Sequence, residues 1–71
     1  MALSAAEYKE ALLYRLNNEA RLAEAEAAFH TQEMQYAETV GIWGVLDSLA
    51  EEAEKRAELI RKLILAIETV V

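Results

Sequence analysis

Gly41-Ile42-Trp43-Gly44 contains both glycines of a 71-residue chain that has no proline. The sequence on either side is rich in Ala, Leu and Glu, all strong helix formers, so these four residues are the place where a helix is expected to stop. The expected fold class is all-α: a two-helix antiparallel hairpin with a long first helix over about residues 4–40, a Gly/Trp turn over about 41–47 and a shorter second helix over about 48–70. If both glycines are instead held inside one nearly continuous helix, at about 1 kcal/mol each, the product is an elongated coiled coil.

Outward from the turn, the helix ends carry their own signals. Ser4-Ala5-Ala6-Glu7 reads as a capping box, with Leu3 and Tyr8 at the two positions of a hydrophobic staple. At the other end of the first arm, Thr39 and Val40 are β-branched and Glu38 opposes the helix dipole, which weakens the last turn before Gly41. Ser48-Leu49-Ala50-Glu51 is a second capping box, with Asp47 as the alternative cap.

A seven-residue ruler places Ala6, Leu13, Ala20, Ala27 and Met34 in one row of the first arm and Leu16, Ala23, His30 and Ala37 in its companion. The many alanines allow two helices to approach closely. A second apolar row, Tyr8, Leu22, Phe29 and Tyr36, is broken only by Arg15, so the first helix should meet more than one neighbour. On the second arm the rows are Leu46, Ala53, Ile60, Ile67; Leu49, Arg56, Leu63, Val70; and Ala50, Ala57, Ile64, Val71.

With a reversal around Ile42-Trp43, residue i faces about residue 86 − i, so Val71 reaches only to about residue 15. The first turns of the long helix, with Leu3, Tyr8, Leu12, Leu13, Tyr14 and Leu16, then need cover from a second chain, and Trp43 either plugs the turn or anchors a partner. A homodimeric four-helix bundle with one isologous interface meets that need. So small a chain also has little core of its own.

The formal charge is −6, from 13 acids and 7 bases, and neither arm is basic. Binding to a nucleic-acid backbone or to anionic lipid is therefore disfavoured. The start lacks the basic and apolar regions of a signal peptide, and Leu63–Ile67 is far too short to span a bilayer, so a soluble, cytoplasmic protein is expected. There is no cysteine, hence no disulfide or thiol chemistry.

Glu19, Glu26 and Glu33 recur between the two apolar rows of the first helix, with His30 on the same face. The reversal sets Arg56 opposite about residue 30, so Glu19, Glu26, His30, Glu33 and Arg56 are expected to form a buried polar network. The alternative is a metal site of Glu26, His30 and Glu33 in a ferritin-like bundle, against which Ala27 stands where a Glu-x-x-His motif needs its carboxylate. Ser4 and Ser48 are explained as caps, and no Gly-rich loop or nucleophile–base pairing is present, so no catalytic residue and no cofactor are expected. The resulting expectation is a small non-enzymatic assembly or adaptor protein acting through its own copies and through contacts with other proteins. A metal-binding bundle and a small acidic inhibitor of a larger protein are the alternatives.

Overall fold

The computed structural model describes residues 3–69 and forms an antiparallel helical hairpin. Helix α1 spans Ala5–Glu33, a single 3-10 turn covers Met34–Tyr36, and α2 spans Val40–Thr69. The expected end of the second helix near residue 70 and the placement of Val70 and Val71 lie outside the described residues. At the start of α1 both halves of the capping box are made: the Glu7 amide donates to Ser4 Oγ at 3.2 Å and the Ser4 amide donates to Glu7 Oε1 at 3.3 Å. Leu3, Tyr8 and Leu12 line one shallow groove beside that cap, the arrangement a hydrophobic staple produces.

The reversal falls upstream of the glycines, and this corrects the expected turn over 41–47. α1 ends at Glu33 rather than near residue 40, and Asp47 and Ser48 lie inside α2 rather than capping it. The chain turns by tightening into the 3-10 segment and then extending at Ala37, with φ −68° and ψ 121°. Thr39 is the cap of the second helix. Its Oγ1 accepts from the Ile42 amide at 3.1 Å, and its carbonyl accepts the first intrahelical bond from the Trp43 amide at 3.0 Å. The β-branched Thr39 therefore opens a helix instead of fraying one. No described residue has a positive φ, so the left-handed conformation in which glycine excels is not used, and Gly41 and Gly44 sit inside the first turns of α2.

Alanine register accounts for the turn's position. Ala20, Ala23 and Ala27 on α1 and Ala50, Ala53 and Ala57 on α2 are all at most 5% exposed, and the two triplets are nearly equidistant from Thr39. A reversal at Trp43 would have set the second triplet against Tyr36, Glu33 and Phe29, wedging the helices apart. With the turn at 34–39 the triplets overlap in one seam. Leu16 and Ile64, each 6% exposed, extend it toward the open end. Leu13 and His30 on α1, Met34 in the 3-10 turn, and Leu46, Ile60 and Ile67 on α2 are half-buried.

Of the three rows on α2, the seam takes the two that carry Ala53 and Ala57. The third, Leu49, Arg56 and Leu63, stays outside, which avoids burying the Arg56 guanidinium. The arms are 29 and 30 residues long, so the expected overhang of α1 beyond α2 closes up. The hairpin is a slab of 53 × 23 × 13 Å, one helix thick, with a radius of gyration of 16.5 Å. A globular chain of this length would have about 11 Å.

Three outcomes follow for stability. Gly41→Ala and Gly44→Ala should each raise stability by about 0.5–1 kcal/mol, because an added Cβ meets only Thr39 Oγ1 at 3.8 Å in the first case and nothing within 4 Å in the second. Thr39→Ala should cost about 1 kcal/mol through the lost cap. Ala53→Leu should cost about 1–3 kcal/mol by overfilling the seam. Urea melts of the four variants check all three, and a loss of stability in either glycine variant would show that the glycine is needed where it stands.

Candidate interaction surface

The seam divides the hairpin into two unlike sides. On one, the groove between the helices is lined by Glu19, Leu22, Ala23, Glu26, Arg56 and Ile60. Because seven residues make nearly two helical turns, Tyr8 and Phe29 stand in line with Leu22 on α1, while Ile42, Leu49 and Leu63 stand in line with Arg56 on α2. Leu22, Phe29 and Tyr36 are between 61% and 81% exposed, and Ile42, Leu49 and Leu63 between 39% and 49%. Val45 and Leu59, on the adjacent row of α2, are exposed beside them. Across the seam, the second groove is lined by Glu24, Ala27, Ala28, Thr31, Gln32 and Glu54, continuing into Glu58 and Arg61.

One ion pair ties α1 to α2 on each side. On the polar side Arg61 grips Glu24 with two nitrogens, Nη2 to Oε1 and Nε to Oε2, the latter at 3.3 Å. That bond holds the Glu24 carboxyl below its usual value against the opposing effect of desolvation, with smaller contributions from the charges of Arg61 and Arg21, and it raises Arg61. On the apolar side Arg56 Nη2 donates to Glu26 Oε2. This second pair sits in the middle of the exposed leucines and aromatics.

The residues expected to form a buried network are placed differently. No charged or polar residue is buried among those described. Arg56 and Glu26 meet, but each side chain is 55% exposed. His30, half-buried, engages Glu33 through Nδ1 at 2.8 Å and sets its ring edgewise to Phe29. Glu19 lies 3.9 Å from Arg15 on its own helix. The glutamate row therefore breaks into three separate pairs along the rim of the seam, because it flanks the alanines instead of entering them. With Glu26 taken up by Arg56 and turned away from His30, the proposed Glu26, His30 and Glu33 metal set does not converge. Among the described residues no group of three His, Cys, Asp or Glu side chains could hold a metal ion.

The expected interface residues also separate. Tyr8 is exposed in line with the apolar side, and Leu3 lies beside it. Tyr14, in line with Ala28, projects on the polar side. Leu12 and Leu13 are half-buried, and Leu16 is spent inside the hairpin. Trp43 is 47% exposed near the start of α2. What the overhang argument missed is the side formed by Leu22 and Phe29 on α1 and Ile42, Leu49 and Leu63 on α2. Its signal was present as the second apolar row of α1.

No protein-family model matches the chain, and no curated protein or solved structure matches it. No helix among the described residues is long and apolar enough to cross a membrane.

The lowered Glu24 carboxyl stabilises the fold above the unfolded-state value of 4.5, and that contribution is lost as pH falls through the lower folded-state value. Glu24→Gln should therefore melt below the wild type at neutral pH, with the gap closing in acid. A gap that persists under strongly acidic conditions would show that the pair does not act through charge.

Proposed function

We propose that this chain is a non-enzymatic assembly protein whose hairpin is half of a homodimeric four-helix bundle, joined through the side that carries Leu22, Phe29, Ile42, Leu49 and Leu63. The observation behind this is surface area. The chain exposes 5719 Å², whereas a compact monomer of 8.0 kDa exposes about 4,450 Å². The excess of about 1,300 Å² is more than the roughly 800 Å² per partner of a standard interface.

Chemistry favours a second copy over water on the same side. Isolated exposed leucines are ordinary, but leucines and aromatics continuous along two helices form the kind of patch that marks an interaction site. Two such slabs placed face to face give the two-layer packing of a four-helix bundle, with the acidic sides outward to keep the assembly dispersed. Any further protein partner would then meet the rim of the bundle, where Trp43 is exposed beside Val40. The inhibitor reading gains nothing from the polar side, where Glu24, Glu54 and Glu58 are interrupted by Arg61 instead of forming a single acidic stripe.

Light scattering should return the mass of two chains. Phe29→Asp and Leu49→Asp should each shift the chain toward monomer by desolvating a carboxylate in the interface, while Glu58→Gln on the polar side should leave the mass unchanged. A wild-type mass of one chain, or aspartate variants that stay dimeric, would overturn the proposal.

A further inference from the structure

Two flat hairpins can join face to face by a two-fold axis in only two ways: with their turns at the same end, or with their turns at opposite ends. The choice decides which helices meet. When the turns coincide, α1 of one chain lies across from α2 of the other. When the turns are opposed, α1 faces α1 and α2 faces α2.

The charges in the apolar side discriminate between the two. Glu26 and Arg56 face each other within one hairpin and lie in the groove that opens on this side. With the turns together, the axis runs along the bundle and the partner's Arg56 comes to the level of Glu26, while the partner's Glu26 comes to the level of Arg56. The four side chains then close an alternating ring, each charge having an opposite charge on both flanks. With the turns opposed, Arg56, close to the middle of Val40–Thr69, meets the partner's Arg56. The acidic row of Glu19, Glu26 and Glu33 then meets the same row of its partner. Like charges held together in a desolvated interface are strongly unfavourable.

On this basis we infer that the dimer proposed above is assembled with both turns at the same end, its register and orientation selected by a ring of two Glu26 and two Arg56 side chains in the middle of the apolar interface. The half-exposed state of the pair in the single hairpin is then what a partner would complete, and a polar layer inside an apolar interface is an established means of fixing orientation. The same arrangement sets Phe29 on α1 of each chain across from α2 of the other, on the row that carries Leu49.

The chain contains no cysteine, so a spin label can be placed at the exposed turn by Glu38→Cys and the label–label distance measured by pulsed dipolar spectroscopy. Turns at one end give a separation comparable with the 23 Å width of the hairpin, and opposed turns give one close to its 53 Å length. A long distance in a dimer overturns this inference and leaves the dimer standing, whereas a single-chain mass with no dipolar coupling overturns both. A second arm uses the doubly exchanged chain, E26R with R56E, which keeps its internal pair. Mixed with wild type, it should form fewer mixed dimers than random pairing gives. An excess of mixed dimers would contradict the ring, because opposed turns bring Arg56 against the exchanged Glu at the same position.

Discussion

Close approach of two helices along an alanine seam is the constraint on which the rest of this molecule depends. Among the described residues six of the eight that are buried are alanines, so the hairpin gains helix–helix contact through proximity and not through large buried side chains. No large side chain in the described residues is fully buried. A methyl group removes little area from water compared with a leucine or a phenylalanine. The seam thus aligns two helices well but leaves the larger apolar side chains outside it.

That arrangement explains both sides of the slab. Residues flanking the seam are held at fixed heights, which is why Glu26 meets Arg56 and Glu24 meets Arg61 across otherwise featureless helices. Exposed pairs of this kind contribute little to stability but restrict sliding of one helix along the other. Leu22, Phe29, Ile42, Leu49 and Leu63, left outside the seam, lie on the Glu26–Arg56 side, whereas Tyr14 and Leu65 are exposed toward the Glu24–Arg61 side. The proposed dimer would assemble an apolar core between molecules, in keeping with the small size that limits what one copy can bury.

Much of this was legible before any coordinates. The all-α class, the antiparallel pairing, the Ser4 cap and the inward rows of α1 all follow from composition and seven-residue spacing. The turn lies upstream of the glycines, because glycine, although a common helix stop, also tolerates helix interiors at modest cost. Thr39 as a cap and the matching of Ala20, Ala23 and Ala27 to Ala50, Ala53 and Ala57 were both visible in the sequence, and together they fix the reversal. Moving the turn then moved the proposed surface from the end of α1 to a side of the whole hairpin. The Glu24–Arg61 pair had no signal in the sequence, since two residues so far apart can be matched only once the register is known. The glutamate row was correctly seen as unusual. Its burial was overestimated, because a row adjoining an alanine seam remains at the rim, where solvent reaches it.

The central claim is that the apolar core of this protein is completed by a second copy, and it is tested most directly by thermal unfolding over a hundredfold range of protein concentration. Folding coupled to dimerisation predicts a melting temperature that rises steadily with concentration. A melting temperature independent of concentration, at a mass of one chain, would mean that the alanine seam suffices by itself and would contradict the account.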